Sequence, residues 1–200
     1  MKKLLLCLLL ALSLSGCGRT SAVPAAPESG IPAGTGQTAS AEDRTPTAQE
    51  LGREETTDLT FLIEGTEETL PAALYIGQGY SLYIPTEGWA PEHDTEDGIP
   101  VDSWESTVND NAELRVLHLG QRTVEEARAW VTAEEDDYRL TEDQQGGLFG
   151  EDPEDRMCLD VRFHEARDQL YAVLWEYPLE AAEGFGCRLG VIADTFELMQ

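Results

Sequence analysis

Lysine is nearly absent from this 200-residue chain, in which Lys2 and Lys3 are the only examples. The 13 lysine and arginine residues stand against 39 aspartate and glutamate residues, which gives a formal net charge of −26. Because nucleic-acid phosphates are bound mainly by clustered cationic side chains, so acidic a chain repels them. We therefore expect no nucleic-acid partner. The acidic surface either keeps the chain soluble or forms a docking face for a cationic partner.

Sequence motifs for catalysis are also missing. No stretch matches a phosphate-binding loop or a dinucleotide fingerprint, and Gly79–Tyr83 lacks the second glycine that a nucleophile elbow needs. We therefore expect no enzyme activity, no catalytic residue and no bound cofactor. A cell-envelope hydrolase is the alternative that these absences leave open.

Histidine is scarce, and His93, His118 and His164 are widely separated along the chain. This spacing is unlike that of a metal site or a catalytic triad. We expect His93 to be solvated in an acidic loop and His118 to be packed in an apolar strand. The acidic runs Glu134–Asp137 and Glu151–Asp155 lack the ligand and glycine spacing of an EF-hand loop, so we interpret them as solvated. The sequence thus predicts no metal site.

The N-terminal residues have the organisation of a secretory signal peptide. Lys2 and Lys3 form a short positive start, and Leu4–Leu14 is almost entirely apolar. That apolar run is about 11 residues long, whereas a membrane-spanning helix takes roughly 20. A transmembrane anchor is therefore not expected.

The apolar run ends in Leu14-Ser15-Gly16-Cys17, which resembles the lipobox of bacterial lipoproteins. The resemblance implies that residues 1–16 are a lipoprotein signal peptide and that the sulfur of Cys17 carries lipid. Since two acyl chains already anchor a protein stably, we expect the mature protein on the extracytoplasmic face of the cell membrane. The membrane is then a partner through Cys17. The alternative is an ordinary secretory cleavage site followed by a chance cysteine.

Composition divides the rest of the chain into a tether and a domain. Residues 17–57 are rich in Ala, Pro, Gly, Ser, Thr and Glu and carry scarcely any large apolar side chain, so they cannot bury enough surface to fold. A flexible coil of that length reaches roughly 35 Å. Residues 58–200 hold all four Trp, all six Tyr and all five Phe, and are predicted to form one domain.

The domain is predicted to be α+β, with a largely antiparallel sheet and two main helices packed on it. Thr123 and Glu126 form a capping box before a helix over Val124–Glu135. A final helix follows Pro178 and carries an apolar stripe of Phe185, Leu189, Ile192 and Phe196. The predicted strands are Leu59–Glu64, Thr69–Ile76, Tyr80–Ile84, Trp104–Val108, Leu114–Leu119, Met157–His164 and Leu170–Tyr177, with a possible short strand at Tyr138–Thr141 and a loop at Glu142–Asp155.

Two further interpretations concern cysteine and aromatic residues. The predicted strand and helix faces point Cys158 and Cys187 away from the shared core, so we expect two free thiols rather than a disulfide. Tyr80, Tyr83, Trp89 and Trp104 could line a ligand cleft, but aromatic residues near strands are more often part of a core. We therefore assign these four to the core.

The order of these pieces resembles a known fold. Gly79-Tyr80-Ser81-Leu82-Tyr83-Ile84-Pro85 leads to Gly88-Trp89, then come the Thr123–Ala127 helix start and Leu170–Pro178, and finally Ile192–Phe196. The pattern is similar to the PsbP-like α/β/α sandwich and to uncharacterised lipoproteins of Gram-positive bacteria. The resemblance implies a binding or assembly module without a shared catalytic set. The ligand is open, and the partner could be a cationic or cell-envelope protein.

Overall fold

The computed structural model describes residues 44–199, and all structural statements below concern these residues. The predicted signal peptide, the lipidation site Cys17 and most of the predicted tether lie outside them. Packed structure begins ahead of residue 58, where the sequence placed the start of the domain. Helix α1 (Ala48–Leu51) already buries Ala48, and the side chain of Arg53 is 8% exposed.

Eleven strands within residues 44–199 form two sheets, in which every strand pair is antiparallel. The smaller sheet has the order β1-β2-β3-β11, and the larger has the order β4-β5-β6-β10-β9-β8-β7. This confirms the predicted α+β class with a largely antiparallel sheet. The strands are β1 (Thr56–Ile63), β2 (Thr66–Ile76), β3 (Tyr80–Pro85), β4 (Trp89–Glu96), β5 (Ile99–Ser106), β6 (Glu113–Gly120), β7 (Thr141–Glu142), β8 (Leu148–Asp152), β9 (Met157–Ala166), β10 (Gln169–Pro178) and β11 (Glu197–Leu198).

The main helices are α2 (Val124–Glu134) and α3 (Cys187–Asp194). The predicted capping box of α2 is confirmed, because Thr123 accepts from the amide of Glu126 and the Glu126 carboxylate accepts from the amide of Thr123. A 3₁₀ turn (Leu179–Ala181) and a π turn (Ala182–Gly186) precede α3. No helix in the described part of the chain is long and apolar enough to cross a membrane.

The central strand β10 is buried on both faces, which explains its nearly continuous apolar sequence. Its residues Val173 and Trp175 face a core shared with the smaller sheet and α3. Its residues Ala172 and Leu174 face a second core that contains Val131 of α2. The larger sheet therefore has a packed layer on each side.

Two predictions about loops are wrong. The segment Glu142–Asp155 contains β8, because pairing with β9 turns Leu148, Gly150 and Asp152 inward in spite of the acidic composition. The acidic segment around His93 is strand β4, whose side chains are nearly all exposed. It is a strand because its backbone pairs with β5 along the whole length, and not because it has an apolar face.

The C-terminal helix also differs from its prediction. Helix α3 begins at Cys187 rather than near Pro178 and ends at Asp194, so that Phe185 lies in the π turn and Phe196 lies beyond the helix. Phe196 is nevertheless buried, as are Leu189 and Ile192. The predicted apolar stripe therefore consists of residues that pack in the core, although Phe185 precedes helix α3 and Phe196 follows it.

The two cysteines of the described region are free thiols, as predicted. The predicted outward position of Cys158 is wrong, because β9 is apolar on both faces here and Cys158 is buried in the core beneath the smaller sheet. Cys187 is partly exposed, and its sulfur donates to the main-chain carbonyl of Leu62 at 3.3 Å.

Candidate functional site: a cleft around Asp102

A cleft of about 670 Å³ opens where the smaller sheet meets the larger one. We call it the Asp102 cleft. Its walls are the β2–β3 turn with its flanking residues (75–80), Pro100 and Asp102 of β5, Val116 and His118 of β6, the segment 44–46, and Met199.

The tight β2–β3 turn brings main chain against aromatic rings. Gly79 has a φ of +86°, and a Cβ there would lie 2.1 Å from the hydroxyl oxygen of Tyr171. A Cβ on Gly77 would lie 2.5 Å from the ring of Tyr80. Only glycine fits these positions without a shift of the rings. The hydroxyl of Tyr171 then donates to the carbonyl of Gln78 at 3.0 Å, which fixes the turn as one wall of the cleft.

The carboxylate of Asp102 is hydrogen-bonded through both of its oxygens. Its Oδ2 accepts a hydrogen bond from the hydroxyl of Tyr80, and its Oδ1 lies 2.6 Å from Nδ1 of His93. The ring of Tyr75 stacks on His93 at 6.0 Å and meets Trp104 edge-on at 4.8 Å. The carboxylate is thus held by two partners within an aromatic surround, and its side chain is still 24% exposed.

Burial decides the protonation of the groups around this carboxylate. Burial and the neighbouring Asp102 raise the pKa of Tyr75 and of Tyr80, so both phenols keep their protons at neutral pH, and Tyr80 donates its proton in the hydrogen bond to Asp102. Burial also lowers the pKa of His118, which leaves that imidazole neutral at neutral pH. Arg44, the remaining charged group among the lining residues, is paired with Glu50 at 2.5 Å.

The three histidines, which look scattered in the sequence, lie on one face of the larger sheet. His93 of β4 is opposite Asp102 of β5. On the same sheet face, His118 of β6 is opposite Tyr171 of β10, and His164 of β9 is opposite that same tyrosine. His118 packs on the ring of Tyr171 at 4.3 Å, which confirms its predicted packed position. His118 lines the cleft, while His93 is connected to it through its contact with Asp102.

A local sequence signal accounts for the pairing of His93 with Asp102. Asp97 and Gly98 have φ values of 48° and 82° and form the two-residue turn between β4 and β5. Asp-Gly is a strong signal for such a hairpin, and a two-residue loop fixes the register of its strands. With Glu96 opposite Ile99, the register places His93 opposite Asp102. Asp97-Gly98 is thus the signal in the sequence from which the contact of His93 with Asp102 could have been predicted.

The described residues contain no group of three His, Cys, Asp or Glu side chains arranged to hold a metal ion. The acidic runs have structural roles that the solvated interpretation misses. Glu135 accepts from Arg115 at 2.8 Å. Asp152 is buried, and its carboxylate accepts from the amide of Glu154 at 2.7 Å, which caps the turn after β8.

The four aromatic residues assigned to the core have different surroundings. Trp104 is buried as expected, Trp89 packs against Phe185, and Tyr83 lies beneath the guanidinium of Arg53. Tyr80 is both buried and a wall of the cleft.

The pair of His93 and Asp102 has the arrangement by which a carboxylate orients a general base. Nucleophilic catalysis further requires a hydroxyl or thiol within hydrogen-bond reach of that base. In residues 44–199, Asp102 is the one side chain hydrogen-bonded to His93, and no Ser, Thr or Cys side chain is. The geometry is that of an imidazole oriented by a carboxylate, with no nucleophile bonded to it in residues 44–199.

These observations define a largely antiparallel α+β domain with an aromatic, acid-centred cleft. Among solved structures, the chain is similar to the solution structure of cyanobacterial PsbP (CyanoP) from Synechocystis sp. PCC 6803, at a TM-score of 0.45 and 10% sequence identity. The similarity covers 64% of this chain and 92% of that one. No family model matches the chain, and no curated protein does. No residue role passes between two chains at this identity.

Proposed function

We propose that the chain is a lipid-anchored binding module on the extracytoplasmic face of the cell membrane, with its ligand in the Asp102 cleft. The observation that carries the proposal is the cleft, about 670 Å³ in volume and lined by both sheets. Small-molecule sites are commonly clefts of about 300–1,000 Å³ with aromatic walls and a few fixed polar groups. Tyr75 and Tyr80 supply aromatic surface, and Asp102 supplies a fixed polar group.

The polar groups of the cleft are held in place before any ligand arrives. Tyr80 is 2% exposed, and its hydroxyl is bonded to Asp102. The turn at Gln78 is fixed by Tyr171. Because ordering a site costs binding free energy, a preformed site of this kind favours ligand binding.

The anchor in this proposal is the lipid on Cys17 that the lipobox resemblance implies. The first described residue, Arg44, lies in the wall of the cleft.

The proposal extends to the fold, as a PsbP-like α/β/α sandwich. Val131 of α2 packs on one face of the larger sheet, and Leu189 of α3 packs on the other face together with the smaller sheet. The PsbP-like resemblance implies a scaffold for binding or assembly. We further propose that a cationic or cell-envelope protein docks on the acidic surface.

A cell-envelope hydrolase is the second candidate, and the observation that favours it is the contact of 2.6 Å between His93 and Asp102. A hydrolase that uses this base would lose turnover in His93→Ala, while a binding module would show no turnover to lose. A hydrolase substrate screen on wild type and His93→Ala separates the two candidates. Turnover by wild type that His93→Ala abolishes would overturn the binding-module proposal.

A blocked cleft tests the binding proposal directly. Thr45 is exposed and lines the cleft, so Thr45→Trp places an indole in the cleft without touching the core. Gln49→Trp adds the same ring at an exposed position outside the cleft wall and serves as the matched control. Full-length protein is purified from membranes and screened against a metabolite library by thermal shift. We expect at least one compound to stabilise wild type and Gln49→Trp but not Thr45→Trp. Identical profiles for all three proteins would contradict the proposal.

A further inference from the structure

We infer that the Asp102 cleft binds a small organic cation, a diamine or polyamine whose ammonium group contacts the Asp102 carboxylate. This inference rests on the proposed function, in which the cleft is the ligand site. It adds the chemical class of the ligand.

The charge of the cleft is the first argument. Among its lining residues, Asp102 carries a carboxylate, while Arg44 is already paired with Glu50 at 2.5 Å. The imidazole of His118 is neutral at neutral pH because burial lowers its pKa. An anionic ligand would therefore meet the Asp102 carboxylate, while the one arginine among the lining residues is engaged by Glu50. A cationic ligand meets an opposite charge.

The second argument is the acceptor capacity of Asp102. A carboxylate has about four lone-pair sites, and Tyr80 and His93 each occupy one, on different oxygens. Acceptor sites remain, and the side chain is 24% exposed, so a ligand can reach them. An ammonium group offers three donors and no acceptor, which complements a carboxylate in this state.

The third argument is the aromatic surround. The ring of Tyr75 lies beside Asp102 and stacks on His93. A cation within about 6 Å of an aromatic face is attracted by the ring quadrupole, and partial desolvation strengthens the attraction. Aromatic surface next to a carboxylate therefore favours an organic cation, whose methylene groups also bury apolar area, over a strongly hydrated metal ion.

The electrostatic field of the whole chain also favours a cationic ligand. A formal net charge of −26 raises the local concentration of cations and repels anions. The same field also attracts cations non-specifically to the outer surface. The experiment must therefore separate cleft binding from surface binding.

Titration calorimetry on the full-length protein, at about 0.15 M salt to screen surface charges, tests the inference with three probes of similar length. They are 1,5-diaminopentane, the neutral 1,5-pentanediol and the anionic glutarate. We expect binding of the diamine alone. Asp102→Asn should weaken it at least tenfold, while Asp110→Asn, an equal charge change at an exposed turn, should leave it within twofold.

Since Asp102→Asn also removes an acceptor for Tyr80, Thr45→Trp provides a second variant that leaves this network intact. It should abolish diamine binding, and Gln49→Trp should not. Equal loss in Asp102→Asn and Asp110→Asn would show surface attraction and overturn the inference. A library compound that is blocked by Thr45→Trp but is neutral or anionic would overturn the inference and leave the proposed function standing.

A lysine side chain of a protein partner carries the same ammonium group as a free diamine. Nα-acetyl-lysine methylamide therefore forms a fourth arm of the titration. We expect it to bind more weakly than 1,5-diaminopentane, because its two amide groups add bulk to the cleft without a second cation. Tighter binding of the capped lysine would assign the site to a protein partner and overturn the small-molecule inference.

Discussion

The guanidinium of Arg53 donates a hydrogen bond of 2.9 Å to the main-chain carbonyl of Thr195, and so joins segments 142 residues apart. The same side chain donates to the carbonyl and hydroxyl of Ser81 at 3.1 and 2.9 Å and stacks over the ring of Tyr83 at 4.5 Å. One arginine thus connects the chain before β1, strand β3 and the end of α3. It lies in the stretch that composition assigns to the tether.

Arg53→Met should destabilise the domain by about 2–4 kcal/mol, because it removes charge-assisted hydrogen bonds and leaves part-buried acceptors unpaired. For a domain of this size the melting temperature should fall by about 10 °C. Arg139→Met removes an exposed arginine and should change stability by less than about 0.5 kcal/mol. Thermal denaturation followed by circular dichroism gives both values. Equal melting temperatures for Arg53→Met and Arg139→Met would show that the contacts of Arg53 do not stabilise the domain.

Leu189→Asp should unfold the domain or lower its melting temperature by more than about 10 °C. Leu189 is fully buried between α3 and both sheets, where an unpaired carboxylate costs several kcal/mol of a total of about 5–15 kcal/mol. Val108→Asp makes the same type of change at a side chain that is 80% exposed and should melt like wild type. Val23→Asp, in the predicted tether, should also leave the melting temperature unchanged. A wild-type melting curve for Leu189→Asp would mean that α3 is not docked.

Arg115 is a largely buried cation, with its side chain 13% exposed, and it is shared by four carboxylates. Glu135 pairs with it at 2.8 Å, and Glu96, Glu113 and Glu176 approach to between 3.8 and 3.9 Å. Burial raises the pKa of Glu113 and of Glu176, since one cation does not offset the desolvation of so many carboxylates.

Glu176→Gln should raise the melting temperature at pH 7. A carboxyl whose pKa is higher in the folded than in the unfolded chain stabilises the fold below its unfolded pKa, about 4.3, and this contribution is lost as the pH rises through the folded pKa. The advantage of the glutamine variant should therefore disappear below about pH 4. Melting temperatures are measured from pH 3.5 to 7, with the exposed Glu87→Gln as control. A lower melting temperature for Glu176→Gln at pH 7 would show that pairing with Arg115 outweighs burial.

Cys17→Ala should release the protein from the membrane fraction, since the proposed anchor is lipid on that sulfur. Fractionation with immunoblotting measures the distribution, and metabolic labelling with a fatty-acid analogue checks whether lipid is attached. Cys7→Ala, inside the predicted signal peptide, is the matched control and should leave the protein on the membrane. Retention of a processed Cys17→Ala protein on the membrane would refute the lipid anchor.

The strands predicted from sequence are those with an apolar face. Leu59 and Phe61 alternate with exposed residues, so their burial follows from that period. Val173 and Trp175 lie in β10, whose continuous apolar run predicts a strand buried on both faces. Strand β4 has no such face, because its residues after Trp89 are exposed, and only its backbone pairing with β5 defines it. Apolar periodicity is therefore informative about burial and says little about an exposed edge strand.

The cleft was less predictable than the fold, because its groups come from distant parts of the chain. His118 could be assigned to a packed position from its apolar strand alone. The contact of His93 with Asp102 required the register set by Asp97-Gly98, and the approach of Arg44 required a packed segment where the composition favoured a tether. Local patterns specify elements, whereas long-range pairing assembles a site.

Strand β4 is the outermost strand on one side of the larger sheet. Its unpaired edge affects how copies of the protein interact when they are crowded together. An exposed eight-residue edge is a template on which a second copy could add a strand. Pro91 removes one main-chain donor from this strand, and Glu92, Asp94 and Glu96 bring like charges to any copy aligned against it. Many copies crowded side by side would therefore repel one another at this edge instead of joining into a continuous sheet.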